Sequence, residues 1–245
     1  MPDPIDDAYE RLQRDTAFMW QQAMGCWSTL MLVHGRMDKD QLAMVTLQMY
    51  HYVKDTVAVI AHALAALPEA PEHASYRALL DYFAHDEAGH ELVALRDLAA
   101  LGFDVEACKA TLPLPTTHNL QAANRAGIDT WGPYYLLGET WATERVGAVI
   151  SARIHDAYRA DGRHAHGVSF YEVHGEADVD HSDRSTALVR EALARDPALY
   201  RPVLMGCLTA WRNLMLLGME IQSYRLYPAE FQLVRPITPE GRQGT

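Results

Sequence analysis

FYEVHGEADVDH, residues 170–181, is the stretch on which the reading of this chain turns. Its His174, Asp178 and His181 stand four and then three residues apart. At about 100° per residue, a helix carries Asp178 and His181 within roughly 40° of His174, on a single stripe. Glu176 and Asp180 turn to the other side. The acids of the run therefore sort into a solvated set and a set aligned with histidines, with Phe170 and Val173 upstream and Leu188 downstream. Two neutral imidazoles and an ionised carboxylate suit Fe, Mn or Zn, but three residues from one helix leave a site incomplete. A polar helix face with incidental histidines is the competing reading, and ligands from elsewhere in the chain would decide against it.

Working outward, the run DYFAHDEAGHELVALRDL at 81–98 places Glu87 and His90 three apart, as neighbours on one helical face. Glu-x-x-His is the pattern that carboxylate-bridged metal bundles project into their cores. Leu79, Leu80, Phe83, Leu98 and Leu101 supply the apolar stripe around it. A third run, GPYYLLGETWATERVGAVI at 132–150, is too apolar for a surface helix yet carries Glu139 and Glu144. Leu137, Trp141, Glu144 and Ala148 recur at helical spacing, which sets Glu144 on the stripe a core-facing helix buries. Glu139 lies roughly 140° away and competes for the same role. A carboxylate in a core needs a charge partner. That partner is either a metal or an arginine such as Arg153, Arg145 being directed away from Glu144.

The 245 residues, 49% of them hydrophobic, can bury one sizeable core, and one domain over residues 1–245 is expected. A net charge of −11 with pI near 5.5 argues against nucleic acid and against an anionic membrane surface, since clustered Lys and Arg are lacking. The acidic start MPDPIDDAYERLQRD has no apolar segment of the signal-peptide kind, and charges interrupt every long apolar stretch. A soluble, cytoplasmic protein is expected. Cys26, Cys108 and Cys207 are too few and too widely spaced for a zinc knuckle or a disulfide framework.

Punctuation by Pro, Gly and capping residues divides the chain into about seven helical tracts: Ile5 to His34, Lys39 to Leu67, Glu72 to Leu101, Thr117 to Ala126, Trp131 to Ala160, Gly167 to Ala194 and Pro197 to Tyr227. Asp38 and Asp40 stand where an N-cap belongs, Gly102 follows the third tract, and Pro197 opens the last. No strand pattern appears. The irregular stretches are Phe103 to Thr116 and ADGRHAHG, and after Pro228 the chain reads as a tail, residues 228–245. The core is expected at about 5–227. Short breaks predict antiparallel neighbours. Long amphipathic helices and 10 methionines lead to the expectation of a homodimer.

With these runs assembled, the chain resembles the heme-oxygenase-like di-iron oxidases and oxygenases, all-α helical bundles that share the fold of thiaminase II and pyrroloquinoline-quinone synthase. The resemblance spans roughly Gln41 to Tyr227. It is carried by YHYVKDT at Tyr50 to Thr56, DEAGHELVALRDLAALG at Asp86 to Gly102, LLGETWATERVG and FYEVHGEADVDH. It implies two irons held by Glu87, His90, Glu144, His174, Asp178 and His181. Two departures stand out. Some members carry a glutamate two turns before the histidine, where this chain has Phe83, and the family's glutamate-glycine pair reads Glu144-Arg145. His51 and Asp55, four apart, are candidates for a further ligand or for a group that orients a histidine.

The activity this resemblance implies is O2-dependent oxidation of a small organic substrate, such as an amino acid, a fatty acid or an amine-like metabolite. A mixed histidine and carboxylate set with open positions favours Fe, and ligand softness alone also admits Mn. Trp131, Tyr134, Tyr135, Trp141, Phe170 and Tyr171 are candidates for an aromatic pocket wall, although aromatics at helical spacing more often serve as plain core packing. Two other functions compete. One is a metal-free enzyme of the thiaminase or quinone-synthase kind, which has no use for Asp178 between two histidines; the other is a non-catalytic iron-binding protein.

Overall fold

A computed structural model of the chain describes residues 4–226; the expected tail at 228–245 lies outside the described residues. In chain order the helices are α1 (Pro4–Gly25), α2 (Trp27–Val33), α3 (Lys39–Ala66), α4 (Ala74–Asp86), α5 (His90–Ala100), α6 (Val105–Lys109), α7 (Pro115–Trp131), α8 (Tyr134–Asp161), α9 (Ser169–Arg195) and α10 (Tyr200–Leu226). Single 3-10 turns at Pro71–His73 and Pro197–Leu199 precede α4 and α10. No strand occurs among the described residues, and none of their helices is long and apolar enough to cross a membrane.

The expected α3 start is built as its residues suggest. Asp38 accepts from the Gln41 backbone N–H at 2.9 Å while the Gln41 side chain accepts from the Asp38 N–H at 3.2 Å, a reciprocal cap. Elsewhere the seven expected tracts are corrected. The first divides at Cys26, whose backbone is extended (φ −69°, ψ 156°). The Ala23 carbonyl freed by that break accepts from the Thr29 hydroxyl at 2.9 Å and the Cys26 thiol at 3.2 Å. The third divides at Glu87–Gly89, where Gly89 takes φ +97°, a left-handed conformation that costs a residue with a Cβ about 1–2 kcal/mol. The fourth is longer than expected and runs from Pro115 through Trp131, and the stretch after Phe103 contains the short α6.

Helix α8 packs most extensively against α9 and α10, and α3 packs against α4, α5 and α7. Leu42, Leu47, Leu98, Trp141, Ile154, Tyr158, Val203 and Trp211 are buried between these layers. One buried acid fixes the relation of two of them. Asp97, on α5, accepts from the backbone N–H groups of Ser169 at 3.0 Å and Phe170 at 2.7 Å, and from the Ser169 hydroxyl. It thereby satisfies the first free N–H groups of α9 from another helix. The helix that begins at His90 and the helix that carries His174 are tied at this point.

Candidate metal centre and its cavity

Ligand-type atoms of Glu87, His90 and His174 lie within 4.8 Å of one another, and so do those of Glu87, Glu144 and His181. Glu87 belongs to both triads. Its Oε2 is 3.0 Å from His90 Nδ1, and its Oε1 is 3.8 Å from His181 Nδ1. Each oxygen of one carboxylate therefore faces a different triad. Glu144 Oε2 completes the second at 3.2 Å from His181 Nδ1. The side chains are withdrawn from solvent, His181 at 1% exposure and Glu87 at 9%.

The relation between Glu87 and His90 is not the one their spacing predicts. They do not share a continuous helical face: Glu87 terminates α4, His90 opens α5, and the turn at Gly89 brings the two side chains together. Asp178 is buried and lies beside the triads without belonging to either. Its Oδ2 accepts from the Ser151 hydroxyl at 3.4 Å, and its Oδ1 has no hydrogen-bond partner among the described residues. Glu144, not its competitor Glu139, stands with the histidines. Among the described residues no arginine is paired with Glu144; the Arg145 guanidinium stacks over Trp20 at 4.9 Å and Trp141 at 4.5 Å. Phe83 lines the cavity and meets His181 edge to face, with ring centroids 4.8 Å apart.

Two contacts orient the imidazoles. His174 Nδ1 donates to the Phe170 carbonyl one turn back, at 2.8 Å, and Phe170 stacks on the ring at 4.0 Å, which leaves Nε2 as the lone-pair atom. His181 Nε2 lies 2.9 Å from Asp86 Oδ2, so Nδ1 is turned to Glu144 and Glu87. The sequence reading missed Asp86. Only its position as the last residue of α4 beside Glu87 could have signalled it, and that required knowing where α4 stops.

Charge in the cluster is balanced by protons. Burial opposes a charge on His181, but Glu144, Glu87 and Asp86 outweigh it and push the imidazole up to about 9. The hydrogen bond to Glu87 raises His90. Burial pushes Glu87 up, but His90, His174 and His181 more than offset this and hold it below the usual carboxylate range. Burial, and then the Glu144 charge, raise Asp178 well above that range. Burial lowers His174, which favours the neutral form a ligand needs.

Glu87, Glu144 and His174 of the triads, with Asp178, line one side of a cavity of about 220 Å³. Of the aromatics expected there, Phe170 and Tyr171 line it, joined by Tyr52, Phe83 and Trp211. Tyr134, Tyr135 and Trp141 are core residues instead, and Trp131 lies on α7 beneath Arg201, 4.8 Å from its ring centre. His51 is away from the triads. Its Nδ1 accepts from Lys54 at 2.9 Å and its Nε2 contacts the Thr111 hydroxyl at 2.9 Å. Asp55 is paired with Arg125 at 2.5 Å.

A family model described as iron-containing redox enzyme matches residues 44–215, a span that includes both triads. The chain belongs to the iron-containing redox enzyme family. A search of curated proteins finds no match. Among solved structures, a domain of unknown function with a heme oxygenase-like fold from Shewanella denitrificans superposes with TM-score 0.77 and 22% identity, covering 90% of this chain and 94% of that one. A TenA homolog from Pseudomonas syringae pv. tomato gives 0.74 and 12%, covering 87% and 92%. A TenA homologue from P. horikoshii gives 0.65 and 16%, covering 86% and 98%. At these identities the likeness is one of fold, and it agrees with the expected heme oxygenase-like bundle. For an iron-containing redox enzyme the donor set fits: mixed imidazole and carboxylate, one carboxylate shared between two triads, and the unpartnered Asp178 Oδ1 buried beside them.

Proposed function

We propose that this chain is a non-heme di-iron oxidase or oxygenase that uses O2 to oxidise a small organic substrate held in the cavity beside Glu87. The observation that carries the reading is the division of the Glu87 oxygens between two triads. Glu87, His90 and His174 would hold one iron, and Glu87, Glu144 and His181 the other, with Asp178 the nearest further carboxylate. Ferrous iron bound here supplies the reduction of O2 that oxidises a C–H, C–C or N–H group.

The protein's own residues prepare that chemistry. The Phe170 carbonyl holds the proton of His174 on Nδ1, and Asp86 holds His181 through Nε2, so each ring offers its other nitrogen. A proton that Glu144 and Glu87 favour on His181 in the metal-free protein must leave when a cation enters, which makes uptake stronger as pH rises. Met49, Val53, Val59, Ile60, Leu120 and Leu214 wall the cavity and exclude water from the apolar part of a substrate.

Anaerobic Fe(II) titration of metal-free protein, followed by O2 uptake, tests the proposal. Two irons per chain are expected, with one lost in each of His90→Ala and His181→Ala and both weakened in Glu87→Ala. The fold is also that of the TenA homologues, so a metal-free enzyme is the alternative, and failure to take up iron would turn to it. Two observations favour iron. Cys108 and Cys207 are fully buried and neither lines the cavity; burial pushes both thiols up, that of Cys108 to about 12, the reverse of an activated nucleophile.

A further inference from the structure

The cavity reaches well beyond the triads along α8, and its far part is built of polar groups that the iron reading does not use. Glu139 lies there, buried at 3% exposure and five residues before Glu144, about 7.5 Å of helix rise. Tyr52 donates to Glu139 Oε1 at 2.6 Å, and Asn124 donates to the same oxygen at 3.3 Å. Among the described residues nothing donates to Oε2. Asn124 must turn its NH2 toward the carboxylate, which directs its Oδ1 elsewhere, and this oxygen has no partner among the described residues although Asn124 is only 3% exposed. Both residues line the cavity. Glu139 Oε2 thus stands unengaged at the cavity wall, where a donor on a ligand would satisfy it.

The charges around the cavity say which ligand. Its lining includes the carboxylates of Asp55, Glu87, Glu139, Glu144 and Asp178, and no Lys or Arg among the described residues. The nearby Arg125 is committed to Asp55, to which both terminal guanidinium nitrogens donate, at 2.5 and 2.6 Å. Bound cations would offset Glu87, Glu144 and Asp178. Glu139 would remain, a buried acid with hydrogen-bond donors and no positive partner.

From this juxtaposition we infer that the substrate carries an amine, seated as an ammonium against Glu139 Oε2, with its oxidisable carbon chain extending along α8 toward Glu144. The inference rests on the neighbouring triads being the iron site. Burial pushes the Glu139 carboxyl up to about 7 against the pull of Tyr52 and Asn124, and a bound ammonium would relieve that penalty. A free carboxylate at this position would meet Glu139 with no cation to offset it. The cavity therefore selects amines over fatty acids of the same length.

Isothermal titration of metal-free protein at about pH 8 with hexylamine and with hexanoate reads this without any catalysis. Hexylamine is expected to bind, hexanoate to bind roughly 10–100-fold more weakly, and Glu139→Gln to lose that preference. Helix content and iron stoichiometry of Glu139→Gln should match the parent, which separates a folding failure from loss of the ammonium site. Equal or tighter binding of hexanoate, no binding of hexylamine, or unchanged hexylamine binding by Glu139→Gln would each overturn the inference. Amine selectivity in a protein that takes up no iron would keep the ammonium site and sink the di-iron reading; iron uptake without amine selectivity would do the opposite.

Discussion

Asp178 and Gly147 touch across the packing of α9 on α8: the Asp178 carboxyl occupies the space where a Cβ on residue 147 would be. The contact sets how near Asp178 can come to Glu144, since both acids face the same part of the cavity. Gly147→Ala is therefore expected to push the Asp178 side chain aside. Alanine is the better helix former by about 1 kcal/mol, so a net loss of stability, about 1–3 kcal/mol from overpacking, would be opposite to propensity. Iron affinity should fall roughly 10–100-fold while far-ultraviolet circular dichroism stays at the parental level. An alanine variant with parental melting and parental iron binding would show that the contact does not constrain Asp178.

Asp86 touches the centre at His181. Its side chain is 37% exposed, so Asp86→Ala should fold normally, while the imidazole loses the acceptor that holds Nε2. Iron affinity is expected to drop roughly 10–100-fold. A structural role alone would leave the metal-free titration untouched, whereas loss of this carboxylate should lower the His181 pKa from about 9, read by NMR of the ring nitrogens.

His51 makes stability depend on pH away from the triads. Neutral, it accepts from Lys54 and is free to donate to Thr111, whose hydroxyl donates in turn to the Cys108 carbonyl at 2.7 Å. Burial, and then the Lys54 charge, lower it from 6.5 to about 4. Between those values the unfolded chain binds the proton and the folded one does not. The contribution is thus complete above about pH 6.5 and is lost progressively as pH falls toward about 4, at most about 3 kcal/mol. Urea denaturation at about pH 7.5 and about pH 5 should show a smaller drop for His51→Gln than for the parent, and equal drops would refute this account.

The residues legible in the sequence were those whose geometry is local. His174, Asp178 and His181 share a helical stripe in any uninterrupted helix, and α9 is uninterrupted through them. Glu144 was separable from Glu139 by the stripe it shares with Leu137 and Trp141, and the structure places it at His181. Glu87 and His90 were found by a spacing argument whose premise fails, because the chain breaks between them and a left-handed glycine restores the proximity. Of the candidate pocket aromatics, most are core, as their helical spacing favoured. Tyr134, Tyr135 and Trp141 have the same periodicity as cavity residues but turn into the packing of α8 on its neighbours.

Sequence by itself determined the all-α architecture, the helix on which three candidate ligands align, and the acidity that disfavours polyanions, since each follows from residue periodicity or net charge. Tertiary structure alone decided that one oxygen of Glu87 faces each triad, that Asp86 orients His181, and that Glu139 is buried with Tyr52 and Asn124 rather than with the histidines. Those relations join residues up to 95 positions apart, from helices whose mutual placement is set by packing, which no helical spacing encodes.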